Sequence, residues 1–134
     1  MSGLTKGVHH LGLTVPDLSE AVAFFSEVLG FEKLGEKPDY PAVFLHDGSV
    51  MLTLWQVQSD QPVAFDRKRN LGLHHFALAV DDVDALQQVY QRVQTYTGAE
   101  IEFAPEPLNG TPLHHMMCTI PGGIRMEVIA AGGQ

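Results

Sequence analysis

The sequence is poor in the features that mark extracellular, membrane and nucleic-acid-binding proteins. It has one cysteine, Cys118, among 134 residues, so no intrachain disulfide is possible. It has 8 basic residues against 16 acidic ones, and the formal net charge of -8 disfavours binding to nucleic acids or anionic membranes. No hydrophobic run approaches a membrane span, and the opening MSGLTKG lacks the apolar core of a signal peptide. We therefore expect a cytoplasmic protein whose partner is a small molecule.

A histidine-led segment occurs twice in the chain. GVHHLGLTV (residues 7–15) and GLHHFALAV (residues 72–80) both contain a histidine pair followed by the alternating pattern of a strand. Each is followed by an acidic helix start and then by three extended segments. The pattern predicts one βαβββ module over residues 7–58, a second over residues 71–131, and a polar linker over residues 59–70.

Both predicted helices have recognisable ends. Asp17 is the expected N-cap of the first helix, with a glutamate at the capping-box spacing, and Gly30 is expected to end it. Asp81 or Asp82 is expected to cap the second helix, and Gly98 to end it. The apolar stripes expected to face the sheets are Leu18, Val22, Phe25 and Leu29 in the first helix, and Val83, Leu86, Val89, Tyr90 and Val93 in the second.

The strand pattern places the second histidine of each pair on a face that carries small residues. His10 and His75 lie on such faces, and the alternation puts Glu127 on the non-core face of the last strand. Two imidazoles and one carboxylate from separate strands form a facial triad, which binds Fe²⁺, Mn²⁺, Ni²⁺, Co²⁺ or Zn²⁺ and leaves positions open. We therefore predict a metal site formed by His10, His75 and Glu127. His9 and His74 are expected to point to the opposite faces and to be structural.

The face of the strand that precedes Glu127 depends on the length of the intervening turn. A two-residue turn would put His114, and every second residue after it, on the face of Glu127; a three-residue turn would put them on the other face. Matching the two halves through their turns makes Thr53 the equivalent of Glu127, with Met51 and Trp55 beside it on the same face.

These segments together resemble the vicinal oxygen chelate superfamily, which includes glyoxalase I, fosfomycin-resistance thiol transferases, extradiol dioxygenases, methylmalonyl-CoA epimerases and bleomycin-binding proteins. The resemblance is carried by HHLGLTVPDLSEAVAFFSEVLGF, LHHFALAVDDVDAL and IPGGIRMEV, and it covers nearly all of a single domain, 1–134. It implies an α+β fold in which two βαβββ modules form a cupped mixed sheet with the helices on the outer face. It also implies a homodimer and a divalent metal held at the positions of His10, Thr53, His75 and Glu127.

Two positions depart from the pattern of particular members. Glyoxalase I and the epimerases have a glutamate or glutamine where this chain has Thr53, which is a poor metal ligand. The dioxygenases have a catalytic tyrosine on the strand before the last ligand, where this chain has Met116, Met117 and Cys118. The resemblance therefore leaves open whether the reaction is that of a glyoxalase-like lyase or isomerase, a thiol transferase or a dioxygenase.

The remaining candidate residues are assigned by their chemistry. Glu127 is predicted to be catalytic, with His114 and Tyr40 as candidates for proton transfer. Arg125 is a candidate for holding an anionic substrate group. The side chains that could line a substrate wall are Thr53, Trp55, Met51 and Phe44.

Three functions are compatible with these residues. The first is a metal-dependent enzyme that uses Fe²⁺, Mn²⁺, Ni²⁺ or Zn²⁺ to chelate vicinal oxygens of a small substrate and to stabilise an oxyanion or enolate. The alternative is a metal-free protein that sequesters a small molecule, as the bleomycin-resistance members do. The third is a metal-binding scaffold without turnover.

Overall fold

The structure, a computed structural model, describes residues 3–130. The chain divides into two compact units, of which the structure describes residues 3–62 (unit 1) and 63–130 (unit 2). Each unit has the predicted element order βαβββ. Among the described residues, no helix is both long enough and apolar enough to cross a membrane.

Unit 1 is a four-stranded mixed sheet with one helix. Its elements are β1 (His10–Val15), α1 (Leu18–Leu29), β2 (Glu32–Lys37), β3 (Ala42–His46) and β4 (Met51–Gln56). The strand order in the sheet is β1-β4-β3-β2, with β1 parallel to β4 and the other pairs antiparallel. Helix α1 packs against β3 and β4.

Unit 2 repeats this arrangement. Its elements are β5 (Phe76–Val80), α2 (Val83–Gln94), β6 (Glu100–Pro107), β7 (His114–Thr119) and β8 (Arg125–Ala130). The strand order is β5-β8-β7-β6, with β5 parallel to β8 and the other pairs antiparallel. Two βαβββ modules with mixed sheets confirm the predicted α+β class.

The first strand of each unit has the predicted alternation. In β1, Leu13 and Val15 are buried, whereas Gly12 is exposed. In β5, Phe76 is buried and Ala77 is exposed. The helix and sheet of each unit therefore enclose the larger side chains, and the small residues line the opposite face.

Helix α1 begins and ends where the sequence predicts. The Asp17 carboxylate accepts a hydrogen bond from the backbone N–H of Glu20 at 3.0 Å. Gly30 is left-handed, with φ of 76°, and its N–H donates to the carbonyl oxygen of Ser26. A side chain at Gly30 would be strained in this conformation, which explains why glycine ends the helix.

The buried face of α1 is rotated from the predicted stripe. Its buried residues are Ala21, Phe24, Phe25 and Val28. Leu18, Val22 and Leu29 are half-buried, so most of the predicted stripe was wrong. Because α1 is apolar on most of its circumference, it offers two overlapping stripes. The stripe with both phenylalanines faces the sheet since it removes more apolar area from water.

Helix α2 is capped by Asp82, one of the two predicted candidates, whose carboxylate accepts from the N–H of Ala85 at 2.8 Å. It ends at Gln94, so the prediction that Gly98 ends it was wrong. The hydroxyl of Thr95 donates to two carbonyl oxygens of the last turn, each at 3.3 Å. This hydroxyl satisfies carbonyls that a further helical turn would otherwise have paired.

Candidate functional site

The carboxylate of Glu127 lies between two imidazoles in unit 2. Its Oε1 is 3.1 Å from Nε2 of His75, and its Oε2 is 2.6 Å from Nδ1 of His115. The side chains of Glu127 and His115 are each 13% exposed, and that of His75 is 33% exposed. A carboxylate so far removed from water needs a polar partner, and the 2.6 Å contact with His115 fixes its orientation.

The turn between β7 and β8 explains the presence of His115. The N–H of Ile120 donates to the carbonyl oxygen of Ile124 at 2.9 Å, so three residues form the turn. Met117 is therefore the cross-strand partner of Glu127, and His115 lies two residues along the same face. Two glycines with positive φ make this turn possible. The sequence left both turn lengths open, and the Pro-Gly-Gly triplet was the available signal for the longer one.

His114, the predicted candidate for proton transfer, lies on the face opposite to Glu127. It is the cross-strand partner of Ala130. Its Nδ1 is buried and has no hydrogen-bond partner among the described residues. The adjacent His115 is the histidine that contacts the carboxylate, and its ring also packs edge-on against Phe103 at a centroid distance of 4.9 Å.

Arg125, the predicted anion-binding residue, is held by a carboxylate of its own unit. Its Nε and one terminal nitrogen donate to the two carboxylate oxygens of Glu102 at 3.0 and 2.9 Å. The other terminal nitrogen donates to the carbonyl oxygen of His74 at 3.2 Å and lies 3.2 Å from its Nδ1. This paired geometry leaves the guanidinium little capacity to hold a substrate anion.

The contacts around Arg125 shift the pKa values of the residues that form them. The hydrogen bond from Arg125 lowers the pKa of Glu102 below its usual range, and the same bond raises the pKa of Arg125. Partial desolvation and the charge of Arg125 lower the pKa of His74. Elsewhere in the unit, burial raises the pKa of the Cys118 thiol to about 12, which makes a nucleophilic role for this cysteine unfavourable.

The predicted ligand of unit 1, His10, is exposed at the start of β1. Its Nδ1 is 3.0 Å from Nδ1 of His9, and the corresponding atoms of His74 and His75 are 2.8 Å apart. The expectation that the first histidine of each pair points to the opposite face was therefore wrong. His9 and His74 both precede the strands, so the alternation of a regular strand does not extend to them.

Thr53 occupies the position equivalent to Glu127, as predicted. It is the partner of Gly12 in the parallel β1–β4 pair, as Glu127 is the partner of Ala77. Its hydroxyl oxygen accepts from Nε1 of Trp55 at 2.9 Å, and only 6% of the residue is exposed. A Cβ atom at Gly12 would lie 3.1 Å from that oxygen. The Thr53 side chain is therefore packed closely between Gly12 and Trp55.

The other candidates of unit 1 form an aromatic cluster. The rings of Tyr40 and Trp55 meet edge-on at 5.2 Å, and Phe44 lies 6.4 Å from Trp55. The ammonium of Lys37 is 5.9 Å from the Trp55 ring. Tyr40 is 47% exposed, so the cluster is accessible from one side. Met51 lies outside the cluster, where it is half-buried and pairs with His10.

The chemistry of the unit 2 donors fits a divalent metal. Across residues 3–130, no group of three or more His, Cys, Asp or Glu side chains is arranged to hold a metal ion. His75 and Glu127 nevertheless provide an imidazole nitrogen and a carboxylate oxygen 3.1 Å apart. Two donors that are each about 2.1 Å from one ion and meet it near a right angle are about 3 Å apart, so this pair has the required separation.

Comparisons with known proteins agree with this architecture. A family model described as the Glyoxalase/Bleomycin resistance protein/Dioxygenase superfamily matches residues 7–128. The chain is 32% identical to 2-epi-5-epi-valiolone epimerase from an Actinomyces species, with 91% of this chain and 78% of that protein covered. It is 35% identical to mitochondrial methylmalonyl-CoA epimerase from Bos taurus over 58% of this chain, and it spans 48% of that protein. The crystal structure of a glyoxylase/bleomycin resistance protein/dioxygenase domain from Frankia sp. EAN1pec has a TM-score of 0.81, with 22% identity and coverage of 94% of this chain and 98% of that one.

Proposed function

This chain belongs to the Glyoxalase/Bleomycin resistance protein/Dioxygenase superfamily, and on that premise we propose that it is a divalent-metal-dependent enzyme. Its substrate is a small molecule with two neighbouring oxygen atoms. Its reaction moves a proton on a carbon next to a carbonyl group, as in an epimerase or isomerase.

The observation that carries the proposal is the contact between His75 and Glu127. These are the positions at which the superfamily resemblance expects metal ligands, and His10 stays a predicted further ligand from the sequence repeat. A divalent ion bound there would supply Lewis-acid chemistry, lowering the free energy of an enolate or another oxyanion. Imidazole and carboxylate donors suit Fe²⁺, Mn²⁺, Ni²⁺ and Zn²⁺ alike.

The chain's own residues have separate roles in this proposal. His115 holds the Glu127 carboxylate in one orientation through the 2.6 Å contact. The exposed small side chains Ala77 and Ala79 leave room beside it for a substrate. Glu127 is the proposed catalytic carboxylate, and Tyr40 and His114 stay proposals for proton transfer.

Two observations support proton transfer over oxygen chemistry. Met117 is the cross-strand partner of Glu127, on the strand where the resemblance expects the tyrosine of a dioxygenase. The match to 2-epi-5-epi-valiolone epimerase covers 91% of this chain, whereas the matches to a biphenyl-2,3-diol 1,2-dioxygenase and a catechol-2,3-dioxygenase cover 66% and 71% of it. Methylmalonyl-CoA epimerase is a second matched epimerase. Polyhydroxylated cyclic ketones and 2-substituted malonyl thioesters are therefore the first substrate classes to test.

The experiment combines metal content with proton exchange. Protein purified without chelator or affinity tag is analysed for metal, beside His75→Ala and Glu127→Gln variants. His46→Ala is the matched control, since His46 also faces a carboxylate, that of Glu32, but at 3.9 Å on the surface. We expect about one ion per chain in the wild type and in the control, and loss of that ion in both site variants.

The same preparations are then incubated with the two substrate classes in deuterated water. Metal-dependent exchange of the hydrogen next to the carbonyl would support the enzyme. Stoichiometric metal binding without hydrogen exchange in any candidate substrate would favour a metal-binding scaffold without turnover. Failure of the wild type to bind Fe²⁺, Mn²⁺, Ni²⁺ or Zn²⁺ would refute the proposal.

A second candidate function is metal-free sequestration of a small molecule. The accessible cluster of Tyr40, Trp55, Phe44 and Lys37 favours it, because such a surface binds flat apolar ligands. Trp55 is the chain's one tryptophan, so its fluorescence reports directly on this cluster. Saturable quenching by an aromatic ligand in chelated protein, abolished in Tyr40→Ala, would support sequestration.

We also propose a cytoplasmic homodimer. The dimer rests on the resemblance, and the location on a single cysteine that is free and buried, as suits a reducing compartment. Light scattering on a chromatographic peak should then give twice the chain mass of 14.7 kDa. Cell fractionation tests the location.

A further inference from the structure

The guanidinium of Arg125 lies at the end of a chain of contacts that leads to Glu127. It pairs with Glu102 through two hydrogen bonds, and its remaining terminal nitrogen lies 3.2 Å from Nδ1 of His74. Nδ1 of His74 is 2.8 Å from Nδ1 of His75. Nε2 of His75 is in turn 3.1 Å from the Glu127 carboxylate. Arg125 is 12% exposed, so its position is determined by these partners.

The chemistry of the guanidinium fixes the direction of the hydrogen bonds along this chain. Arginine has five N–H donors and no acceptor, so Nδ1 of His74 must accept from Arg125. A nitrogen that accepts carries no proton of its own. In the short contact between the two histidines, Nδ1 of His75 must therefore carry the hydrogen and donate it.

The consequence appears at the other nitrogen of His75. A neutral imidazole with its hydrogen on Nδ1 has a lone pair on Nε2. That lone pair faces the carboxylate of Glu127, so two electron-rich atoms meet at 3.1 Å. A cation shared by both atoms relieves their repulsion, and a histidine ligand is normally oriented by a hydrogen bond from its second nitrogen.

We propose that Arg125 and Glu102 are positioning residues that act through His74 to set the tautomer of His75, so that its Nε2 is ready to bind a cation with Glu127. This inference rests on the proposed function for its purpose, but the tautomer itself is a property of the metal-free chain. It gives Arg125 a role other than the substrate contact predicted from the sequence.

The repeat in unit 1 supplies an internal comparison. His9 and His10 form the same Nδ1–Nδ1 contact, at 3.0 Å. Met51 occupies the position equivalent to Arg125, since both lie two residues before the equivalent pair Thr53 and Glu127. A thioether donates no hydrogen bond, so it does not fix the direction of the bond between His9 and His10. The tautomer of His75 is set, whereas that of His10 is not.

The experiment measures the tautomer in metal-free protein by ¹⁵N NMR of the imidazole side chains. Spectra are recorded at about pH 8, above the ordinary pKa of histidine. We expect the hydrogen of His75 on Nδ1 in the wild type. Arg125→Met, which copies the residue of unit 1, should shift the population toward the Nε2–H tautomer without altering the His10 signals. Arg125→Lys keeps a cationic donor and should restore the wild-type tautomer in part.

One further variant and two possible outcomes keep the inference open to refutation. If circular dichroism shows that Arg125→Met does not fold, Glu102→Gln is used instead. This variant keeps Arg125 but weakens its pairing with residue 102. We then expect a smaller shift of the His75 tautomer population in the same direction. A wild-type His75 with its hydrogen on Nε2 would overturn the proposal. So would a folded Arg125→Met variant with an unchanged tautomer.

Metal affinity, measured by calorimetry with Ni²⁺ or Zn²⁺, separates this inference from the proposed function. Loss of an outer hydrogen bond to a histidine ligand lowers metal affinity by about 10–100-fold. We expect Arg125→Met to bind about tenfold more weakly, and His46→Ala to bind as the wild type does. If the wild type binds no metal, the proposed function fails, and the NMR result still decides the tautomer.

Discussion

The adjacent histidines of β7 offer a sharp test of the site, because the same substitution should have opposite effects at the two positions. His115→Phe removes the contact with Glu127 and retains a ring against Phe103, which now lies 4.9 Å from the imidazole. A hydrogen bond to a charged group contributes about 1.5–3 kcal/mol. We therefore expect His115→Phe to lower the free energy of unfolding by about that amount.

His114→Phe is the matched variant. The Nδ1 atom of His114 is buried without a hydrogen-bond partner in the described part of the chain, so phenylalanine loses no bond there. An unsatisfied buried polar atom costs about 1–3 kcal/mol, and its removal should leave stability unchanged or raise it by about 1 kcal/mol. The pair of variants thus measures which histidine faces Glu127.

The assay is urea unfolding followed by far-ultraviolet circular dichroism, which reports on the helices and strands of both units. If the free energy of unfolding falls by about 2 kcal/mol per molar urea, a loss of about 2 kcal/mol lowers the urea concentration at the unfolding midpoint by about 1 M. A Glu127→Gln variant completes a double-mutant cycle, in which the coupling with His115→Phe should be about 1–2 kcal/mol. A larger loss in His114→Phe than in His115→Phe would refute the assigned register of β7.

Three further predictions concern stability and reactivity. Glu102→Gln should cost about 1 kcal/mol near neutral pH. Because the folded state lowers the pKa of Glu102, this difference is complete above the ordinary carboxyl range and should vanish as the pH falls through the lowered pKa; urea unfolding across acidic pH measures it. Cys118, whose pKa is raised to about 12, should react with maleimide only after denaturation, as mass spectrometry would show. Asp17→Ala should destabilise by about 1 kcal/mol in thermal unfolding, while Asp17→Asn should retain most of the cap.

Each of these has a contrary outcome. A Glu102→Gln difference that persists in acid would contradict the ion pair with Arg125. Rapid labelling of Cys118 in the native protein would contradict its burial. Equal losses in Asp17→Ala and Asp17→Asn would show that the side chain does not cap α1.

The sequence predicted the fold in most of its detail, and the family match confirms the resemblance on which the finer expectations rest. Its errors came where two local patterns competed. Helix α1 is apolar over most of its surface, so the stripe that faces the sheet is chosen by packing of Phe24 and Phe25. Helix α2 ends at Gln94, before Gly98, and the hydroxyl of Thr95 bonds to carbonyls of its last turn, an interaction that composition does not reveal.

The sequence by itself determined the repeat, the strand faces and the caps, because each depends on neighbours within a few residues along the chain. It placed Glu127 on the face away from the core and made Thr53 its equivalent. The tertiary structure decided which histidine of β7 meets Glu127, since one residue more in a turn reverses every side chain of the strand that precedes it. It also decided that Arg125 pairs with Glu102, because these residues lie on different strands and their contact depends on how β6, β7 and β8 align in the sheet.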